Sequence, residues 1–401
     1  MGSGYLSRMK PLLIAVRLGL YLGASWLIVG ALANGLFPHA LTFVVALAIY
    51  TTLPLAVYAR WRGWPFYPKA AFRLLVVRPF WYTQLMLPFA SVAGTVGVLV
   101  GAVFGQPLNG GRIAAGVVLI CVGSVLIAGY LGTRRLVVRE VDASIPGLPQ
   151  EFDGLAIAQV SDLHVGPHTS RRFLDRVVRT IRELSPDVIA VTGDLVDDRA
   201  EDVDAYASAL GTLDAPLGVF MIPGNHDVYA GWDSVEHRLR KDVPARLLLN
   251  EAHVLRRGEA ALVLAGTGDP AGGRRGHSRV APDVERTLAG APNGATVVAL
   301  AHNPALWPAL AKRGVALTLS GHTHWGQLAM PSLKWSLASP FLEHAMGAYR
   351  NENSLLYISP GTGYWGIPFR LGAFPEVTLV RLRRAPAALE VGRARRARCA
   401  A

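Results

Sequence analysis

The sequence predicts an α/β domain preceded by a four-helix transmembrane domain. Two observations carry this expectation. Four uncharged apolar stretches lie before residue 134, and beyond residue 150 short apolar runs alternate with amphipathic helical patterns. Charge divides the chain in the same way. Residues 1–139 hold 12 Lys and Arg and no acid, residues 140–380 carry a net −6, and residues 381–401 a net +6.

The apolar stretches run Leu18–Phe37, Ala40–Ala59, Phe80–Gly105 and Ile113–Thr133. Each reaches the roughly 20 residues needed to cross a hydrocarbon core, so residues 1–136 read as a transmembrane domain. Basic residues flank them unevenly. Arg8, Lys10 and Arg17 precede the first, Arg60 to Arg78 fill the second loop, and Arg134, Arg135 and Arg139 follow the fourth, whereas the first loop has none and the third only Arg112. The positive-inside rule then puts both termini and the whole second half in the cytoplasm of a multi-pass integral membrane protein. Ala31-Leu32-Ala33 resembles a signal-peptide cleavage site, but the stretch is long for such a segment and three more follow. The loop Trp61–Val77 mixes aromatic and basic residues, which suits an interfacial segment or a solvated connector.

Residues 137–150 read as a linker ending in Pro146-Gly147-Leu148-Pro149. Residues 151–384 form the second domain. Its expected strands are Leu155–Val160, Asp187–Thr192, Val219–Ile222, Leu262–Gly266, Thr296–Ala301, Ala316–Leu319, Leu355–Ser359 and Val377–Leu382, short and aliphatic as strands buried on both faces should be. Helix Arg171–Leu184 follows Ser170, a good N-cap, and Leu174, Val177, Val178, Ile181 and Leu184 form one apolar stripe. Further helices are expected at Ala200–Leu213, Trp232–Lys241, Ala281–Ala289 and Pro304–Arg313. The tail, residues 385–401, is basic; it reads as disordered or as attracted to anionic lipid. A pI near 10 would suggest nucleic acid, but the excess charge belongs to the membrane segment and the tail, so no nucleic-acid partner is expected. Cys121 and Cys399 show no spacing for a disulfide framework or structural zinc.

Five motifs follow apolar runs in order: Ser161-Asp162-Leu163-His164, Gly193-Asp194-Leu195-Val196-Asp197, Gly224-Asn225-His226-Asp227, Ala301-His302-Asn303-Pro304 and Gly321-His322-Thr323-His324. Ligands gather at the carboxyl ends of strands in open α/β sheets, and two residues apart in an extended stretch Asp162 and His164 would point the same way. A single histidine of this kind is usually a core or loop residue. Two carboxylates and several imidazoles buried together without a cation would be costly. Carboxylate, imidazole and amide oxygen together suit Mn, Fe or Zn, and the donors are too many for one ion.

This series resembles the calcineurin-like metallophosphoesterase superfamily, with its pattern D-x-H, G-D, G-N-H-[DE], H and G-H-x-H, over about Leu155–Arg383. Gly321–Gln327 and Pro360-Gly361-Thr362-Gly363-Tyr364-Trp365-Gly366 resemble its YkuE-like branch, which includes membrane-anchored members. The resemblance implies a four-layer α+β sandwich of two mixed sheets flanked by helices. It implies two divalent ions, Mn first and Fe or Zn next. Asp162, His164 and His324 would hold one, Asn225, His302 and His322 the other, and Asp194 would bridge them. His226 would act as general acid or hydrogen-bond donor at the leaving oxygen, oriented by Asp197, which reads equally as a helix-capping residue; Asp227 is open in the same way.

The implied reaction is hydrolysis of a phosphoester or pyrophosphate bond by metal-activated hydroxide. Tethering to a bilayer favours a lipid-linked substrate, for example UDP-diacylglucosamine, which some relatives in that branch cleave. The alternative is a membrane sensor or partner-binding protein whose phosphoesterase domain acts on a soluble nucleotide signal. Position 325 departs from the branch's usual small residue. Trp325 could stack on a base or sugar, contact an acyl chain, or pack in the core. Arg274 and Arg275, in the loop Asp269–His277, suit a substrate phosphate clamp or an ordinary solvated loop.

Overall fold

The computed structural model describes residues 3–62, 70–351, 354–385 and 398–399. It divides into two units, Met1–Ala128 and Gly129–Ala401. In the first, helices over Ala40–Tyr58, Arg73–Val103 and Pro107–Gly132 are long and apolar enough to cross a membrane. The first helix, Ser3–Ala33, ends before the expected Phe37 because the chain turns at Asn34-Gly35, with Gly35 at φ +78°; Gly19–Ala33 is its apolar part among the described residues. The third span begins at Arg73 rather than Phe80, since five π-helical residues run straight into helix Arg78–Val103; residues 63–69 of the expected Trp61–Val77 loop lie outside the described residues. Gly94, Gly97 and Gly101 meet Gly110 and Gly111 so closely that an added methyl would strike the facing backbone or a packed side chain. Small residues let apolar helices approach in this way.

The strands of the second unit, in chain order, are β1 (Val137–Pro146), β2 (Ala156–Val160), β3 (Val188–Thr192), β4 (Val219–Ile222), β5 (Arg246–Leu247), β6 (Glu251–Arg257), β7 (Ala260–Gly266), β8 (Thr296–Leu300), β9 (Leu317–Ser320), β10 (Ala329–Met330), β11 (Trp335–Ser336), β12 (Gly347–Asn351), β13 (Ser354–Ile358), β14 (Glu376–Ala385) and β15 (Arg398–Cys399). They form two mixed sheets, ordered β15-β1-β14-β2-β3-β4-β5 and β12-β13-β9-β8-β7-β6, plus the small hairpin β10-β11.

Period-two burial explains the layers. Ile157, Val188 and Ala190 of the first sheet meet Leu262, Leu264, Val298 and Leu300 of the second in one core. The alternate residues Ala158, Val160, Ile189 and Val191 pack with Leu174, Val177, Ile181, Tyr206 and Leu239 from the helices on the outer face. Val263, Ala265, Val297 and Ala299 do the same with Leu310 on the other side. The result is helix, sheet, sheet, helix, the expected sandwich. Ser170 caps helix Arg171–Leu184, its hydroxyl accepting from the Phe173 amide.

Residues 137–146 are not linker. They form the ten-residue strand β1, paired in parallel with β14 along its whole length. Charged residues hid the strand: Arg139, Glu140 and Asp142 interrupt the aliphatic run, yet Arg139 bonds Glu376 at 2.6 Å and Asp142 bonds Arg383 at 3.1 Å on the neighbouring strand. Of the tail expected to be unstructured, residues 386–397 and 400–401 lie outside the described residues, while Arg398–Cys399 pairs with Val137–Val138.

Candidate metal centre

The seven residues expected as ligands all follow strands of the two sheets. Asp162 and His164 follow β2, Asp194 follows β3, Asn225 follows β4, His302 follows β8, and His322 and His324 follow β9. They converge, but not for the reason first given. Asp162 and His164 do not sit in extended chain: their φ values are +51° and +44°, and Asp194, His322 and His324 are left-handed too, at +51°, +69° and +50°. Non-glycine residues rarely adopt this conformation, and such strain collects at functional sites. It turns each side chain sharply inward at the strand end. Gly321 and Gly224 allow the loops to close, since a Cβ at Gly321 would collide with the Asp162 carboxylate and one at Gly224 with that of Asp194.

Two groups of donors result. Asp162, His164 and His324 bring three ligand atoms within 4.8 Å of one another, and Asp194, His302 and His322 do likewise. In the first group His164 Nε2 and His324 Nε2 are 3.0 Å apart, and His324 Nε2 is 3.4 Å from Asp162 Oδ1. In the second, Asn225 Oδ1 lies 2.7 Å from His322 Nδ1 and 3.2 Å from His302 Nε2. The carboxylate of Asp194 serves both, with Oδ2 3.5 Å from His164 Nε2 and 3.2 Å from His302 Nε2.

These residues fit a pair of divalent ions. Two imidazole nitrogens each about 2.1 Å from one cation stand roughly 3 Å apart, as His164 and His324 do. The far ring nitrogens are engaged, as ligating histidines require. His302 Nδ1 donates to the Thr192 carbonyl at 2.8 Å, and His164 Nδ1 lies 3.2 Å from Asp197 Oδ1. His324 differs. The guanidinium of Arg370 donates from Nη2 to His324 Nδ1 at 2.7 Å, which fixes the ring with its Nε2 edge towards Asp162 and His164.

Electrostatics within the side chains points the same way. Burial, reinforced by Asp194 and opposed by His302, pushes the Asp162 carboxyl up. Burial also acts to raise Asp194, but His302, His226 and His164 outweigh it and hold that carboxyl well below the usual range. His302 mirrors this: burial would lower it, and Asp194 and Asp162 raise it well above an ordinary imidazole. Burial, then His302, drops His322 to about 4. The buried carboxylates thus draw positive charge onto His302 and, with Asp197, onto His164, charge that divalent cations would supply while displacing the protons.

His226 borders this centre. Its ring is 4.6 Å from that of His164 and stands nearly perpendicular to it. Its Nδ1 donates to the backbone carbonyl of Asp197 at 2.8 Å, and the Asp197 carboxylate oxygen is farther, at 3.6 Å. Asp197 therefore holds His226 with its main chain and His164 with its side chain. Asp227 has a structural role: its carboxylate accepts from the amides of Leu195, Val196 and Gly224 and ties two ligand loops together.

The expected substrate contacts divide. Arg274 and Arg275 are exposed, at the end of a short helix over Pro270–Arg274. The charge of Arg274 is felt at His322, and the Arg275 guanidinium lies 5.0 Å above the Tyr229 ring. Trp325 is corrected. It is 2% exposed, packs with Trp307, Leu356 and Ile358, and donates its indole N–H to the Ile358 carbonyl at 2.9 Å. It offers no face to a substrate. Two exposed aromatic side chains flank His226, Tyr229 with its ring 5.5 Å away and Trp365, half exposed, at 5.8 Å. Two further residues escaped the sequence reading. Arg370 is fully buried and donates to the carbonyls of His324, Pro360 and Gly363 besides His324 Nδ1, and His168 Nδ1 lies 3.8 Å from Asp197 Oδ2. No motif pointed to Arg370, although it closes the glycine-rich segment that begins at Pro360.

Comparison with known proteins agrees with this geometry. A family model for the calcineurin-like phosphoesterases matches residues 155–326. The transmembrane protein with metallophosphoesterase domain of Danio rerio is 36% identical over 256 residues, or 61% of this chain and 57% of that protein. The metallophosphoesterase YkuE of Bacillus subtilis is 30% identical over 277 residues, or 68% of this chain and 94% of YkuE. A metallophosphoesterase of Aquifex aeolicus is 32% identical over 267 residues, or 65% of this chain and 97% of that one. The chain spans a little over half the length of the Danio rerio protein and of a Bos taurus protein of the same name, 57% of each. With nearly the full length of two bacterial metallophosphoesterases matched at 30% and 32% identity, the chain belongs to the calcineurin-like metallophosphoesterase family.

Proposed function

We propose that the chain is a membrane-anchored, dinuclear-metal phosphoesterase that hydrolyses a phosphoester or pyrophosphate bond of a lipid-linked substrate at the cytoplasmic face. UDP-diacylglucosamine is the specific candidate. The observation that carries the reading is the position of Asp194 between two complete donor groups, 3.5 Å from His164 and 3.2 Å from His302.

Asp162, His164 and His324 hold one ion, Asn225, His302 and His322 the other, and Asp194 both. The ions supply Lewis acidity and a nucleophile drawn from water at neutral pH; Mn is the first choice, then Fe or Zn. His226 acts at the leaving oxygen. Its Nδ1–H is committed to the Asp197 carbonyl, so the proton it exchanges is carried on Nε2. Arg274 and Arg275 suit the non-reacting phosphate oxygens, where a guanidinium donates in pairs. Trp365 takes the place of Trp325 as the aromatic surface beside the reaction. Tethering by apolar helices favours a substrate that is itself held in the bilayer.

The test is a substrate screen of the purified full chain with Mn²⁺, comparing a UDP-linked diacyl lipid with soluble cyclic and linear dinucleotides. Preferential turnover of the lipid is expected, with about two ions bound per chain by elemental analysis. Turnover confined to the soluble class would replace the lipid reading with that of a membrane sensor acting on a nucleotide signal. A reporter fused after Arg134 is expected to give a cytoplasmic signal; a signal from the opposite side would reverse the orientation.

A further inference from the structure

Beyond Val137, nearly all large apolar side chains are buried, and those left exposed are gathered in one place. Apart from Tyr229 and Trp365, every exposed large hydrophobic among the described residues there falls in Met330–Leu342: Met330, Leu333, Leu337, Phe341 and Leu342. Phe341 is 80% exposed and Leu333 68%. Soluble surfaces seldom concentrate apolar residues in this way without a partner.

The segment is ordered. Strands β10 and β11 pair as a hairpin closed by a turn at Pro331–Leu333. The Leu337 amide donates to the Leu328 carbonyl at 2.8 Å, and the Ser336 amide to the Ser339 hydroxyl at 3.0 Å. Ser336 and Ala338 point inward and are buried, while Leu337 between them points out. The backbone is therefore fixed so as to present its apolar side chains to the outside, with small and polar ones inside.

Composition identifies the occupant. Lys334, exposed and left-handed at φ +49°, stands at the turn beside Trp335, and no carboxylate occurs from Leu328 through Leu342. Lysine and tryptophan rimming aliphatic and aromatic residues is the mix that settles at a membrane–water interface, the ring at headgroup depth and the ammonium reaching outward. The same chain carries three helices long and apolar enough to span a bilayer, which favours a lipid surface as the occupant.

We propose that Met330–Leu342 is an interfacial docking hairpin that seats the metal-centre unit on the lipid bilayer. The hairpin is coupled to the site's rim. Gln327, just before β10, exchanges hydrogen bonds with the Trp365 backbone at 3.0 and 3.1 Å, and Trp365 lies beside His226. Docking then holds the rim that carries His226 and Trp365 at the headgroup layer, where a phosphate attached to lipid is found. The proposal does not depend on the identity of the substrate.

Spin labels in the full chain test it. In a Cys121→Ser, Cys399→Ser background, single cysteines are placed at Leu333, at Phe341 and, as a water-exposed control, at Asp233, whose side chain is 77% exposed. The protein is reconstituted in phosphatidylethanolamine–phosphatidylglycerol vesicles, and flotation confirms anchoring independently. Docking predicts that labels at 333 and 341 collide more with oxygen, which concentrates in lipid, than with a water-soluble nickel chelate, and that the order reverses at 233. Chelate-dominated collisions at all three positions in floating vesicles would overturn the proposal. Shielding from both reagents at 333 and 341 would assign the hairpin to a protein contact instead and overturn it as well. A lipid-like environment that forms only after a lipid-linked phosphoester is added would give the surface to the substrate's chains, which also ends the docking proposal. Leu337→Ser with Phe341→Ser is expected to move the 333 label towards water without changing hydrolysis of a soluble aryl phosphodiester.

Discussion

The two halves of the metal centre are built differently from similar donors. Asp162, His164 and His324 are all buried and all left-handed. Their rings are held by charged groups, the Asp197 carboxylate on His164 and the Arg370 guanidinium on His324. Asn225 and His322 on the other side are only part-buried, and of that trio only His322 is left-handed. His302 there is oriented by a neutral carbonyl, that of Thr192. One half is left-handed throughout, closed, and held by charged partners; the other is left-handed only at His322, more open, and oriented at His302 by a carbonyl. A closed set of donors fixed by outer partners is pre-organised for its ion and releases it slowly. An open one leaves room for a substrate oxygen, as a catalytic site must. If each half holds an ion, the difference predicts retention at the first and exchange at the second, with Asp194 between them.

Four substitutions break or sharpen this comparison, in falling order of effect. Asp194→Ala removes the group both halves share. Loss of both ions and of turnover by about a thousandfold or more is expected, at the upper end of what removing one stabilising group costs; two retained ions with full activity would disprove the shared role. His226→Ala leaves both halves intact and is expected to lower kcat by about 10²–10⁴-fold, the contribution of a positioned acid, while elemental analysis still finds both ions. Loss of metal alongside activity would make His226 a ligand instead.

Arg370→Met addresses the closed half alone. A weakening of about 10–100-fold in the affinity of the tighter ion is expected from losing an outer partner, read by competition with a chelator, together with a lower Tm because five buried acceptors lose their donor. Were the weaker ion affected instead, the assignment of the two halves would be inverted. Trp325→Phe touches neither half. It loses the indole hydrogen bond to Ile358, worth about 1 kcal/mol of stability, and is expected to leave KM unchanged. A raised KM would return Trp325 to the substrate surface.

Much of this was legible in the chain. The aliphatic runs before each motif gave the strands that carry ligands, because burial on both faces leaves no polar residue in the run. Strand β1 was not legible. Its charges find partners only across the sheet, on Glu376 and Arg383, more than two hundred residues away. Trp325 shows the same limit from the other side. Beside two histidines its indole reads equally as a stacking surface or as core, and only the packing of Trp307, Leu356 and Ile358 around it decides. The first apolar stretch was overdrawn because hydropathy does not register the turn at Asn34-Gly35.

The sequence by itself determined the donor types, their order along the chain and their attachment to strand ends, since those follow from local composition and period. Tertiary structure alone decided how closely the donors of each group approach, that five of the seven are left-handed, and that a distant Arg370 braces His324. Those facts depend on how loops from different strands close on one another. A contact between residues 46 positions apart, or a backbone bent against its own preference, exists only when the surrounding fold holds both sides in place.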